Sequence, residues 1–427
     1  VADNSKHGFA TRSIHAGAVP DPTTGARSVP ITQATAFVFK DADHAAALFG
    51  LEESGFIYSR LTNPTVSVFQ DRMASLEGGV GATCTASGHS AQLIALFALM
   101  EPGDDFIASN KLYGGSITQF GHTFKKFGWN VIFVDPIDPE NFRKAVTPNT
   151  KAMFTESLAN PGGVVCDIEK IADIAHDAGV PLIVDNTLPT PALCRPFEFG
   201  ADIVVHSTTK FISGHGNAMG GAVVDSGNFD WSQNDKFKGL AGSCSAYHGL
   251  NFYEKFGPMA FTMYSHAVGL RDLGPTMSPM NAYLSFTGAE TLPLRMRKHA
   301  DNALAVAKWL TTHHQVEWVS YAGLTDSPFY DLAQKYCPDG AGSVFTFGVK
   351  GGYEAGVKIV EKCELFSHVA NIGDTRSLIT HPSSTTHRQL SEQQQISAGA
   401  GPEVVRLSIG IEDVEDIIGD LDQALKA

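Results

Sequence analysis

The chain lacks a disulfide framework, a surplus of basic residues and any apolar run long enough to cross a membrane. Only six of its 427 residues are cysteine (Cys84, Cys166, Cys194, Cys244, Cys337 and Cys363), scattered with no C-x-x-C pair. Such spacing argues against a zinc ribbon or a cross-linked secreted scaffold and points to a reducing compartment. Lysine and arginine number 31 against 45 aspartate and glutamate, a formal charge of −14. That deficit disfavours nucleic acid and anionic membranes as partners. The longest strongly apolar stretch, Ala91–Met100, is interrupted by Gln92 and falls short of the roughly 18 to 20 residues of a membrane helix. Val1–Gly17 carries Asp3, Lys6, His7, Arg12 and His15 and holds no apolar stretch of signal-peptide type, so a soluble, cytoplasmic protein is expected.

What is present suits a globular enzyme. A hydrophobic fraction of 43% fills real cores, and 18% charged residues are too few for a disordered chain. Past Asp43, short apolar runs alternate with helix-period stretches, the βα signature of a mostly parallel sheet. Helices are expected at Thr65–Leu76, Ser90–Met100, Ser116–Phe127 and Ile168–His176, the last capped by Asp167. Strands are expected at Asp105–Ala108, Val131–Val134, Ala152–Thr155, Leu182–Val184 and Ile203–Val205. Gly249–Leu310 has few strand signals, and a domain boundary is expected within its helical end, Thr287–Trp309. A smaller α/β domain should follow, with strands at Val316–Ser320, Ser343–Val349, Leu378–Thr380 and Val404–Ile409 and a last helix over Asp413–Leu425.

The chemistry concentrates where strands end. The strand Ile203–Val205 runs into His206-Ser207-Thr208-Thr209-Lys210 and then glycines. A lysine just past a buried strand is partly desolvated, which lowers its pKa and supplies the neutral amine that a Schiff base requires. Ser207 and Thr209 offer hydroxyls suited to phosphate oxygens. A lone lysine there is more often a surface residue. Twenty-five positions earlier another buried strand ends on Asp185, and in a parallel sheet both ends face one edge. A buried carboxylate against a protonated pyridine nitrogen keeps pyridoxal phosphate an electron sink, although an isolated Asp here would more often cap a turn. Ser87-Gly88-His89 precedes a helix and so presents free amides to an anion, or Ser87 is simply an N-cap. Tyr113-Gly114-Gly115 could set a ring against a planar cofactor, or be a turn.

Together these residues resemble the Cys/Met-metabolism family of pyridoxal-phosphate enzymes, and within it the O-acetylhomoserine sulfhydrylases. The resemblance is carried by Ala10–Gly17, Phe39–Gly50, Tyr58-Ser-Arg60-Leu-Thr-Asn-Pro64, Val184–Thr187, Ser207–Lys210, Leu292–Arg295 and Val405–Gly410. It implies the type I, aspartate aminotransferase-like fold: a mostly parallel α/β sheet and a smaller C-terminal α/β domain. The implied division is an N-terminal arm over 1–60, a cofactor domain over 61–290 and a C-terminal domain over 291–427. Lys210 would carry pyridoxal 5'-phosphate and shuttle protons, Asp185 would pair with the ring nitrogen and Tyr113 would stack on the ring. Ser87, Gly88, His89, Ser207 and Thr209 would hold the phosphate, with Tyr58 and Arg60 reaching in from a neighbouring subunit. Asn160, in the string running to Pro161, would lie near the phenolate oxygen. Arg406, with Asn371 and Asn160, would bind the substrate, its guanidinium clamping the α-carboxylate. The implied reaction is γ-replacement on O-acetyl-L-homoserine by sulfide or a small thiol in a homotetramer built from dimers.

Two departures stand out. Methionine γ-lyases carry a cysteine shortly after the stacking tyrosine, where this chain has Ser116, and His89 stands where relatives often have Met or Gln. The competing readings are an O-succinylhomoserine sulfhydrylase or cystathionine γ-synthase, a methionine γ-lyase and, more remotely, a non-catalytic α/β binding protein. A dinucleotide-binding dehydrogenase is weaker, because Gly214 and Gly220 form no G-x-G-x-x-G. His313, His314, His381 and His387 lack acidic or sulfur companions at metal spacing, so no metal is expected.

Overall fold

Uninterrupted apolar runs bounded by glycine or polar residues need both faces covered, and the chain meets that need by placing helices on either side of one sheet. The computed structural model describes residues 6–160, 163–386, 388–389, 391–397 and 399–427. The first sheet comprises β1 (Gly81–Thr85), β2 (Asp105–Ser109), β3 (Asn130–Val134), β4 (Thr150–Glu156), β5 (Leu182–Asp185), β6 (Ile203–His206) and β7 (Gly221–Asp225). Their order is β1-β7-β6-β5-β4-β2-β3, parallel except for β7, which runs antiparallel to both neighbours. The second sheet, β10-β11-β12-β9-β8, uses β8 (Val316–Ser320), β9 (Val344–Val349), β10 (Ser367–His368), β11 (Leu378–Thr380) and β12 (Val404–Ser408). It is antiparallel apart from the β10–β11 pair.

Every expected strand forms, to within two residues at either end. Sequence reading overlooks β1, β7 and the two-residue β10. Both β1 and β7 open on glycine and are rich in small residues, which mutes the apolar signal. Gly221 has a packing reason: a Cβ there would lie 2.2 Å from the Ser87 carbonyl oxygen. Gly249–Leu310 contains helices and turns, ending in the 21-residue helix Leu292–Thr312 that leads to β8.

Two local expectations need correction. Ser116–Phe127 is not one helix but an α turn (Gly114–Thr118), a π turn (Gln119–Thr123) and a 3-10 turn (Phe124–Phe127). Phe120 and Phe124 both reach the core, where their rings stack at 5.6 Å between centroids, and Gly121 between them favours an irregular turn. Asp167 sits at the start of the helix Ile168–Asp177 but caps nothing with its side chain. Its carboxylate is drawn instead to the Tyr336 hydroxyl and to Lys170 at 2.9 Å.

Candidate active site

Parallel strands deliver their C-terminal ends to one edge, and loops from the second sheet close over it. There Asp185 ends β5, Glu156 ends β4 and Lys210 sits on the turn after β6. Arg406 on β12 and Asn371, between β10 and β11, approach from the other side. All five line one cavity of about 270 Å³, together with Ser87, Gly88, His89, Tyr113, Asn160, Ser207 and Thr209. Two close approaches build it. A Cβ on Gly88 would meet the Ser207 Cβ at 2.7 Å, and one on Gly373, whose φ is +79°, would lie 3.1 Å from the Lys210 Cα.

The Lys210 amine donates to Asn371 Oδ1 at 2.5 Å. Burial, and next the Arg406 charge, bring its pKa down to about 8. A large share of this amine is therefore neutral at mildly alkaline pH, as a nucleophile and base must be. Arg406, nine-tenths buried, donates to the Asn371 carbonyl at 3.2 Å, and desolvation lowers it to about 10. Asp185 accepts from the Thr187 amide at 3.0 Å and from Gln92 Nε2 at 3.3 Å.

Glu156 is the functional residue that sequence reasoning missed. It faces Asp185 across the β4–β5 pairing and lines the same cavity. It accepts from the Tyr113 amide at 2.6 Å and the Asn160 amide at 3.4 Å, tying together the two loops that carry those residues. Burial, then the neighbouring Asp185 charge, raises its pKa well above the carboxylate range, and burial raises Asp185 too. The signal was available, since Glu156 ends a buried strand just as Asp185 does. Gln92, conspicuous in the sequence only for breaking an apolar run, joins Asp185 to the Ser116 hydroxyl, 2.9 Å away.

The phosphate-type corner is more varied. Ser87 is an N-cap, accepting from the Ser90 amide at 3.2 Å, and it also lines the cavity. The helix it opens is Gly88–Phe97, starting three residues before Ala91. Thr209 Oγ1 donates to the Gly220 carbonyl at 3.2 Å and accepts from the Gly220 amide at 3.0 Å, leaving it acceptor capacity only. The Ser207 amide donates to Thr187 Oγ1 at 2.8 Å. His89 meets the Tyr113 ring edge-on at 6.1 Å, and a Cβ on Gly115 would strike both rings.

Tyr58 and Arg60 are not brought to this cavity. They lie together on the arm, the guanidinium 5.2 Å from the ring centroid. Among the described residues no three His, Cys, Asp or Glu side chains group as metal ligands. His387 and Pro161 lie outside the described residues.

The cavity fits pyridoxal phosphate on its own chemistry. It combines a depressed lysine, a buried carboxylate pair opposite, a helix start with free amides, and a buried Asn160 Oδ1 that has no partner. A sheet edge furnished in this way defines a pyridoxal-phosphate-dependent enzyme of the type I fold. The Cys/Met metabolism PLP-dependent enzyme model matches residues 10–426, and the chain belongs to that family. It is 50% identical to the O-acetyl-L-homoserine sulfhydrylase of Leptospira meyeri, over 97% of this chain and 96% of that one. It is 46% identical to the homocysteine synthase of Schizosaccharomyces pombe, with 99% of each covered. A Campylobacter jejuni protein assigned as an O-acetylhomoserine (thiol)-lyase, solved with a pyridoxyl-lysine phosphate, superposes with a TM-score of 0.95. That match has 41% identity over 98% of this chain and 100% of the other.

Proposed function

We propose that this chain carries out γ-replacement on O-acetyl-L-homoserine, with sulfide or a small thiol displacing acetate to give L-homocysteine or its thioether, such as methionine. The observation that carries the reading is the convergence on one cavity of Lys210 and Asp185 from the sheet edge with Asn371 and Arg406 from the other side. When bound, pyridoxal phosphate supplies an electron sink conjugated to the substrate nitrogen. Lys210 holds the cofactor, then takes protons from Cα and Cβ and returns them, helped by its lowered pKa. Asp185 would keep a proton on the ring nitrogen, and Tyr113 would stack on the ring. Gly88 and His89 amides, Ser87 and the Ser207 hydroxyl hold the phosphate, with Thr209 supporting them through Gly220. Arg406 would clamp the substrate carboxylate with Asn371 beside it, and Asn160 would donate its side-chain NH2 to the phenolate oxygen.

The acyl group is acetyl in this reading. Among the described lining residues Lys210 and Arg406 are the only lysine or arginine, and both are engaged, so a succinyl carboxylate would find no free cation in the chain's own cavity, while the Arg60 expected from a neighbouring copy is assigned to the phosphate. Ser116 stands where methionine γ-lyases carry a cysteine, which supports replacement over elimination.

The arm supports self-association. Val38, Phe39, Phe49 and Phe56 are exposed on it, Val38 at 97%, and a second copy covering them would bring Tyr58 and Arg60 to a neighbouring cavity. We assign the arm to 1–60, the cofactor domain to 61–290 and the C-terminal domain to 291–427, in a homotetramer. No helix among the described residues is long and apolar enough to cross a membrane, and six free cysteines support a cytoplasmic setting. The test follows acetate, homocysteine and 2-oxobutyrate from O-acetyl-L-homoserine with and without sulfide, then repeats it with the O-succinyl ester. Sulfide-dependent homocysteine from the acetyl ester is the expected result. Sulfide-independent 2-oxobutyrate would mean a γ-lyase.

A further inference from the structure

Beneath the cavity, on the opposite face of the same strand ends, lies a second polar cluster. Side chains alternate along a strand, so each residue facing the cavity has a neighbour facing away: Ser157 after Glu156, Asn186 after Asp185, His206 before Ser207. Those three buried neighbours meet. Ser157 Oγ donates to Asn186 Oδ1 at 2.9 Å, Asn186 Nδ2 donates to Glu77 Oε1 at 3.0 Å, and His206 Nε2 binds the same Glu77 oxygen at 2.5 Å. Asn186 also donates to the Cys194 carbonyl at 2.8 Å.

Glu77 is in an expensive place. It and His206 are completely shielded from solvent, and it is the last residue of the helix Pro64–Glu77, where the dipole disfavours an anion. A buried carboxylate there needs hydrogen bonds, and Asn186 Nδ2 and His206 Nε2 both meet its Oε1. Read outward, the cluster runs from Glu77 through His206 and Asn186 to the strand ends that carry Ser207 and Asp185.

We propose that Glu77, through His206 and Asn186, is a positioning residue that locks the three cofactor-bearing strand ends in register and so holds Asp185 in place against the cofactor's ring nitrogen. In support, Ser157 Oγ donates to the Asp185 carbonyl at 3.3 Å and the Asn186 amide donates to the Val205 carbonyl at 3.0 Å, so the cluster ties the three strand ends together where Asp185 is carried. The inference rests on the site reading above, specifically on Asp185 facing the pyridine.

The test compares Glu77→Gln, His206→Gln and Ser157→Ala with wild type, using Asp185→Asn as control. The readouts are pyridoxal-phosphate affinity of the cofactor-free protein, the pH midpoint of the bound cofactor's absorption band, kcat and KM, and Tm of the cofactor-free protein. For Glu77→Gln and His206→Gln, cofactor affinity should fall about tenfold and the band midpoint should move, on the scale of one pKa unit. kcat should fall while KM stays within about threefold, the pattern of a lost transition-state interaction. Ser157→Ala, which leaves the Glu77–His206 pair intact, should move affinity in the same direction but less. A lower Tm with affinity and band midpoint unchanged in both charge variants would overturn the proposal and leave Glu77 a purely structural residue. If the charge variants do not fold, unchanged affinity and band in Ser157→Ala would overturn it equally. Normal cofactor binding and an unmoved band in Asp185→Asn would sink the site reading itself, whereas a weakened Asp185→Asn beside a normal Glu77→Gln would sink this inference alone.

Discussion

The two ends of the parallel sheet each hold a partly buried lysine, Lys210 the more deeply buried, and the two differ further in what their amines meet. At the carboxyl ends sits Lys210. Near the amino end of β4, Lys236 donates to the Thr150 and Ala178 carbonyls at 3.1 and 3.0 Å. Both pKa values are lowered, by desolvation first and by a neighbouring cation second: Arg406 for Lys210 and Lys151 for Lys236. What differs is the acceptors. Lys236 is spent on two main-chain carbonyls that cannot move away, whereas Lys210 meets one side-chain amide on a loop. A depressed lysine is thus no functional signal by itself, and the freedom of its partners is what makes the amine available.

Breaking that comparison at its stronger end gives the largest effect. Lys210→Ala should lose turnover by at least about 10³-fold, at the upper range of proton-transfer catalysis, while the fold survives as judged by circular dichroism. Near-normal sulfide-dependent turnover in this variant would end the assignment. Arg406→Ala comes next. Losing charge-assisted contacts worth about 1.5–3 kcal/mol should raise KM for O-acetyl-L-homoserine by roughly 10- to 100-fold.

The same variant sharpens the electrostatic half of the argument. In the cofactor-free wild type, the rate of pyridoxal-phosphate uptake should rise with pH to a midpoint near the Lys210 value of about 8, because only the neutral amine attacks the aldehyde. Arg406 lowers that value, so its removal should shift the midpoint to higher pH. Desolvation still acts in Arg406→Ala, and the midpoint should stay below that of an ordinary lysine. A midpoint that does not move would show that the guanidinium charge is screened from Lys210.

Much of this arrangement was legible in the residue order because strand ends announce themselves: Val-Asp185 and Val-Val-His-Ser-Thr-Thr-Lys210 each pass from apolar to polar within one step. Glu156 carries the same mark but lacked a familiar role. Gln92 was hidden by reading a helix for its apolar face alone. The Glu77–His206 contact joins residues 129 positions apart and depends on how one helix packs behind the sheet, which no local pattern encodes. Tyr58 and Arg60 show the opposite limit. Their family string is plain in the sequence, yet in the single chain they stay on the arm outside the cavity.

The smallest effect on activity belongs to Lys236→Met, which is why it tests the comparison most cleanly. The variant keeps the apolar stem and leaves the Thr150 and Ala178 carbonyls without their donor, at a cost of about 1–3 kcal/mol for each that stays buried and unpaired. The denaturation midpoint should therefore fall while kcat and KM stay within about twofold of wild type. The native pKa of Lys236 is lowered, so between that value and the ordinary 10.5 the unfolded chain binds a proton that the folded chain does not, and wild-type stability gains as pH rises. Lys236→Met should lack that gain, so the stability gap between the two proteins should widen toward alkaline pH, while the pH profile of cofactor uptake at Lys210 stays unchanged. A Lys236→Met variant that lost activity without losing stability would mean that the amino end of the sheet takes part in the chemistry, and the distinction drawn from acceptor freedom would fail.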